Sequence, residues 1–214
     1  MANKRLGSST IQLASPPSVL GYGAVVGKKE GDGPLGTYFD VVNTDATFGQ
    51  TTWEKAETQL QKESFACALG KSGKCEKEID FLFAGDLMNQ CIASAFAFRD
   101  RPFPFLGLYG ACSTMAESLM LAALMIDGNY ADCTAAVTSS HFCSAEKQYR
   151  FPLEYGGQRP PTAQWTVTGS GAVILGAEGD GPYITHVCPG KIIDYGIKDV
   201  NNMGAAMAPA DVKD

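Results

Sequence analysis

No C-x-x-C pair occurs among the seven cysteines, at positions 67, 75, 91, 112, 133, 143 and 188. With only two histidines, at 141 and 186, no Cys/His spacing suits zinc either. The cysteine number is odd, and several sit in apolar runs such as SFACALG (64–70) and ADCTAAV (131–137). The expected state is reduced thiols packed as small hydrophobes, in a reducing compartment. There is no long basic stripe: 17 Lys and Arg face 23 Asp and Glu, a net charge of −6. That makes nucleic acid a poor partner. An acidic chain that binds a small anion needs a local positive cluster, which net charge does not exclude. No stretch reaches the roughly 18 uncharged apolar residues of a membrane helix, and the best one, 119–126, is far too short. The first residues, MANKRLGSSTIQL, lack the apolar core of a secretory signal. The expectation is a soluble or at most peripheral protein. No internal repeat is visible.

What is present is enough apolar material for one good core, 45% of 214 residues. The opening is β-like over 10–13 and 19–27. A Gly-rich charged stretch, KKEGDGPLG (28–36), reads as a surface loop, since it lacks the G-x-x-x-x-G-K-[ST] pattern of a phosphate loop. A helix begins near Thr51 or Thr52, with Thr51 and Glu54 at capping-box spacing, and is ended by Gly70 and Gly73. Trp53, Ala56, Leu60 and Cys67 share one face of it. Buried strands are expected at 79–84, 105–109 and 132–138, alternating with helices over 88–98 and 113–127. Near-continuous apolar strands joined by helices mean a parallel sheet covered on both faces, an α/β architecture. Beyond 140 the pattern changes: 151–162 is a Pro- and Gly-rich loop. Residues 165–177 and 183–194 read as long antiparallel strands.

The segment that carries chemistry is YGACSTMAE (109–117). Cys112 lies just after a buried strand and just before a long helix. A helix N-terminus has unpaired N–H groups and a positive dipole end, which stabilise a thiolate. The strand-to-helix turn also exposes the side chain at the carboxyl edge of the sheet, where open α/β folds bind ligands. Gly110 and Ala111 are small and let a substrate approach. The competing reading, that Cys112 merely fills a tight turn, stands beside this one. His141 follows the strand at 132–138, again at a carboxyl edge, and is either a pocket wall or a surface histidine. His186 reads as an ordinary strand residue.

The G-A-C-S turn resembles the nucleophile elbow of thiolases and β-ketoacyl synthases, and VTGSGAVILG (167–176) resembles the Gly-rich strand that follows it there. Four further segments narrow the resemblance: KEGDGPLGTYFD (29–40), AGDLMNQ (84–90), FPLEYGGQRPPTAQWT (151–166) and NNMGAAMAP (201–209). Together they resemble the stage V sporulation protein AD family, along nearly the whole chain. The resemblance implies a thiolase-like fold of two similar βαβαβ halves, usually dimeric. Residues 1–195 would be the N-terminal half, and 196–214 the truncated start of the second. The implied function is binding of dipicolinic acid and its uptake into the developing spore, without catalysis. The implied partners are membrane proteins of the same operon, at the spore inner membrane. No resident cofactor or metal site is expected; calcium would enter only as a companion of dipicolinate.

A dicarboxylate on an aromatic ring wants Arg or Lys forks, N–H donors and an apolar slot. Arg150 and Arg159, flanking the Pro-rich loop, are the candidate cations, and the backbone at Cys112 and Ser113 is the candidate amide cradle. Tyr149, Tyr155 and Trp165 are candidate aromatic walls. Asp86 and Asn89, after the strand at 79–84, are expected near the pocket and the dimer contact. The rival function is acyl transfer with Cys112 as nucleophile. Active condensing enzymes draw a His and a second polar group from the other half of the fold for that chemistry. A third reading is a scaffold for membrane partners alone.

Overall fold

The computed structural model describes residues 4–149, 166–196 and 198. In chain order the elements begin with β1 (Arg5–Leu6), β2 (Thr10–Gln12), β3 (Ser18–Gly27), the single-turn α1 (Lys28–Gly31) and β4 (Val41–Asn43). Then come α2 (Trp53–Ser72), β5 (Phe81–Gly85), α3 (Ile92–Phe98), β6 (Phe105–Leu108) and α4 (Thr114–Asp127). The last are β7 (Cys133–Ser140), α5 (Phe142–Tyr149), β8 (Gly169–Gly176) and β9 (His186–Val187).

A six-stranded sheet in the order β4-β3-β8-β7-β5-β6 forms the centre. β4 runs parallel to β3, and β5 runs parallel to both β6 and β7. β8 is antiparallel to both of its neighbours, β3 and β7. Every strand except β8 therefore points the same way, and their carboxyl ends share one edge. The expected α/β sheet is what the chain forms, parallel in the main and made mixed by the antiparallel β8.

Side chains alternate across this sheet as period-2 strands require. Leu82 and Ala84 of β5 join Ala135 and Val137 of β7, Ala172 and Ile174 of β8, Phe65 and Ala68 of α2, and Phe98 of α3 in one core. Phe83, between Leu82 and Ala84, points to the other face and packs with Ala122, Ala123 and Ile126 of α4. Leu13 and Val187 close that second core, so the small sheet β1-β2-β9 lies on the α4 side. The α2 face is unusually close. A Cβ on Gly23 would stand 2.3 Å from the Ser64 carbonyl oxygen, and one on Gly21 would stand 2.4 Å from that of Ala68. Only glycine lets a helix backbone seat so deeply on a strand.

Several boundaries differ from the sequence expectation. Thr52, not Thr51, caps α2, its hydroxyl accepting the Lys55 N–H at 3.2 Å. Gly73, at φ 68°, ends that helix in the left-handed conformation. The stretch 28–36 opens with the α1 turn instead of being loop throughout. The helix expected over 88–98 starts only at Ile92, because Gln90 (φ 62°) and Cys91 (φ 54°) are both left-handed and a 3₁₀ turn precedes it. The long strand expected over 183–194 is two residues of β9 plus a bridge from Tyr183 to Ser18. Its partner β2 offers only three residues, and Ile192 beyond it is fully exposed.

Candidate functional site at the carboxyl edge

β6 ends at Leu108, and the chain turns through Ala111–Ser113 in one 3₁₀ turn before α4 begins at Thr114. Ala111 has φ 49°, a left-handed conformation that costs an L residue other than Gly about 1–2 kcal/mol. That backbone twist delivers the next residue, Cys112, to the surface, where its thiol is exposed. The turn is braced by its own hydroxyls. Ser113 Oγ donates to the Gly110 carbonyl at 2.7 Å, and Thr114 Oγ1 donates to that of Ala111 at 2.8 Å. Gly110 N–H donates to Thr114 Oγ1 at 3.1 Å. The 3₁₀ turn already uses the Ser113 N–H, bonded to the Gly110 carbonyl at 3.1 Å, and the Thr114 N–H, bonded to that of Ala111. Ser113 N–H is therefore committed within the turn and reaches an anion only if that bond is released.

Space for the turn depends on Gly85, the last residue of β5. A Cβ there would lie 2.2 Å from the Leu108 carbonyl oxygen and 2.5 Å from Thr114 Cγ2. Gly110 is restricted as well, since a Cβ would meet Glu117 Oε2 and Ser113 Oγ, each at 2.6 Å. The Glu117 carboxylate thus reaches back over the turn from the first turn of α4, an end of the helix dipole that favours negative charge.

The loops after β5, β6 and β7, three strands adjacent in the sheet, bring Asp86, Cys112 and His141 to the same edge. Their roles differ. Asp86 is 1% exposed. Its Oδ1 accepts the Met88 N–H at 2.9 Å, and its Oδ2 accepts the Ser94 N–H at 2.9 Å and the Ser94 hydroxyl at 2.7 Å. It ties down the start of α3, and burial raises its pKa above the ordinary carboxyl value despite those bonds. Asn89 is exposed in the 3₁₀ turn before α3. His141 is buried: its Nε2 meets the Ala46 carbonyl oxygen at 2.7 Å, and its Nδ1 accepts the Cys143 N–H at 3.2 Å. Nε2 therefore carries the proton. Trp53 lies along the ring at 5.5 Å between centroids, and burial lowers the His141 pKa. Both ring nitrogens are occupied within the protein, which fits neither a surface histidine nor a free base. His186 sits exposed on β9, in the other sheet. Arg150, Tyr155, Arg159 and Trp165 lie outside the described residues, as does the side chain of Tyr149.

The family model for Stage V sporulation protein AD matches residues 7–214. The chain belongs to this family. It is 44% identical over 207 residues to Stage V sporulation protein AD of Bacillus subtilis (strain 168). That alignment covers 97% of this chain and 61% of the relative, so the chain spans about three fifths of the relative's length. Among solved structures, the priming β-ketosynthase of the R1128 polyketide pathway superposes with a TM-score of 0.50 at 16% identity, covering 84% of this chain and 54% of that one. The 3-oxoacyl-[acyl-carrier-protein] synthase III of Aquifex aeolicus VF5 gives a TM-score of 0.48 at 16% identity, covering 77% of this chain and 55% of that one. With the first of these, the chain shares a thiolase-like α/β fold.

Three participants at this family member's edge escaped the sequence reading. Tyr109 OH donates to the Leu87 carbonyl at 3.2 Å, bridging the segments after β6 and β5. Cys91 Sγ lies on the Leu108 carbonyl at 2.9 Å. Glu117 stands over the Cys112 turn. Only Glu117 left a sequence signal, as an acidic residue in the first turn of a helix. Among the described residues no cluster of His, Cys, Asp or Glu is arranged to hold a metal ion, and no helix is long and apolar enough to cross a membrane.

Proposed function

We propose that this protein binds dipicolinic acid at the Cys112 edge and serves its uptake into the developing spore, as a binding subunit without acyl-transfer activity. The observation that carries the reading is the 44% identity to a stage V sporulation protein over 97% of the chain. The Cys112 turn supplies the place, an exposed small-residue corner at the carboxyl edge of a parallel sheet. Arg150 and Arg159 supply the carboxylate forks, and calcium enters only with the ligand. Neither histidine of these residues serves Cys112 as a base: His141 has both ring nitrogens engaged, and His186 belongs to the other sheet. In this reading the protein works as a peripheral homodimer with membrane proteins of its operon.

Calorimetric titration of dipicolinic acid into this chain, beside a form extended to the relative's length, tests the proposal. Saturable binding that Cys112→Trp or Arg159→Ala abolishes supports it. Absence of binding by the folded, extended form overturns it. Binding by the extended form alone makes the pocket a product of both halves.

One observation favours acyl transfer instead. A left-handed Ala111 presents an exposed thiol at a strand-to-helix turn, as a nucleophile requires. Incubation with acyl-CoA followed by intact-mass measurement decides this, because a covalent adduct on Cys112 establishes the transfer chemistry and an unreactive thiol ends it.

A further inference from the structure

Glu57 is fully buried on α2, under the same carboxyl edge. Its Oε1 takes the Ser139 hydroxyl at 2.8 Å, from the end of β7, and its Oε2 takes the Ser144 hydroxyl, from α5. Ser139 Oγ in turn accepts Gln61 Nε2 at 2.7 Å, and Gln61 Nε2 also reaches Ser94 Oγ at 2.9 Å. Ser94 closes the chain on Asp86. Two buried carboxyls are thus joined through Ser, Gln and Ser. None of the ion pairs among the described residues includes either of them.

Proton counting separates two states of this network. Ser144 Oγ lies 3.1 Å from the His141 carbonyl as well as on Glu57 Oε2, yet a hydroxyl has one proton to give. With Glu57 neutral, the carboxyl donates to Ser144 and Ser144 donates to His141. With Glu57 ionised, Ser144 must turn its proton to the carboxylate and gives up His141. The ionised state also leaves a desolvated negative charge facing others of the same sign. Among the described residues, the charged and titratable groups around it are Glu54 on α2, Asp86 beyond β5 and, beyond β7, His141, whose ring faces Ala46 and Trp53. Burial, and secondarily the Asp86 charge, push the Glu57 pKa up to about 7. The 20-residue α2 is seated on β3 through the two close glycines, whereas α5 has eight residues. Relief of the buried charge falls on α5.

We propose that Glu57 is a proton-operated latch: its neutral carboxyl holds the start of α5 and the end of β7 against α2, and its ionisation loosens that edge of the sheet. The device is independent of which ligand the edge takes.

Amide hydrogen exchange across residues 139–149 of the whole chain, at pH values on both sides of neutrality and corrected for intrinsic rates, tests it. Protection of this segment is expected to drop roughly tenfold or more as pH rises through neutrality, while the β5 and β6 amides stay protected. Glu57→Gln, which keeps an amide donor and an acceptor without a charge, is expected to hold protection constant. A drop of equal size in Glu57→Gln overturns the latch. So does unchanged wild-type protection. Should Glu57→Gln fail to fold, a carbon-13 titration of wild-type glutamate carboxyls decides: one titrating near neutrality supports the latch, and all titrating in the ordinary carboxyl range overturn it.

Discussion

The thiol of Cys91 lies 2.9 Å from the carbonyl oxygen of Leu108, joining the segment after β5 to the last residue of β6. Burial raises the Cys91 pKa, and the neighbouring Asp86 adds to the rise. Cys133 is pushed up to about 11 by the same desolvation. Reactivity follows thiolate fraction and access, so the seven cysteines separate. Timed alkylation with peptide mass mapping is expected to label Cys75, Cys112 and Cys188 first, because these are exposed, and Cys91 and Cys133 last. Cys91 labelled as fast as Cys112 contradicts the burial of this contact.

Gly85 controls how closely the Cys112 turn approaches the sheet. Gly85→Ala drives a methyl group into the Leu108 carbonyl and Thr114. Overpacking of this kind costs about 1–3 kcal/mol, to be read from urea midpoints. The displacement passes to the Cys112 turn, so the Cys112 alkylation rate changes in the same variant. A neutral substitution with an unchanged Cys112 rate refutes the tight fit.

Ala111 supplies a sharper test of backbone strain. Ala111→Val places a β-branched residue in the left-handed region and is expected to lose about 1–2 kcal/mol. Ala111→Gly relieves the strain but adds unfolded-state entropy, so it should lie within about 1 kcal/mol of wild type. Equal loss in both variants contradicts a left-handed Ala111.

Much of this architecture was legible because buried parallel strands write themselves as continuous apolar runs. The strands expected over 79–84 and 132–138 fall, within two residues at each end, on β5 (Phe81–Gly85) and β7 (Cys133–Ser140) for that reason. The Cys112 corner was legible because strand, small residues, cysteine and helix follow each other within one local stretch. Where partners are remote, the sequence is silent. His141 finds its carbonyl at Ala46, 95 positions away, and its stacking partner at Trp53. Glu57, Gln61 and Ser64 are fully buried on a helix face otherwise made of Ala56, Leu60, Phe65 and Ala68. Their serine partners lie on other elements, which no periodicity of α2 predicts. The strand expected over 183–194 shrinks to β9 and the Tyr183 bridge, because among the described residues its partner β2 offers only three residues to pair with.

Stability should depend on pH with a definite sign. Between the ordinary glutamate value of 4.5 and about 7, folded Glu57 retains a proton that the unfolded chain has lost. Stability therefore falls as pH rises through that window and levels off above it, by on the order of 3 kcal/mol. Asp86, also raised by burial, acts in the same direction. Urea midpoints in buffers spanning the window should show this slope in wild type and a much flatter one in Glu57→Gln. Rising stability across the same window contradicts a neutral buried Glu57.

β8 has a temporal consequence. It is the strand that joins β3 and β4 to β7, β5 and β6, and it pairs Ser18 with Gly176. During synthesis, before residue 169 the central sheet exists only as two separate fragments, β4-β3 and β7-β5-β6. The sheet closes when one antiparallel strand, the last of the six to leave the ribosome, threads between them. Until then the inward edges of β3 and β7 are unpaired, and the nascent chain must be kept from its neighbours for the time needed to make some 150 residues.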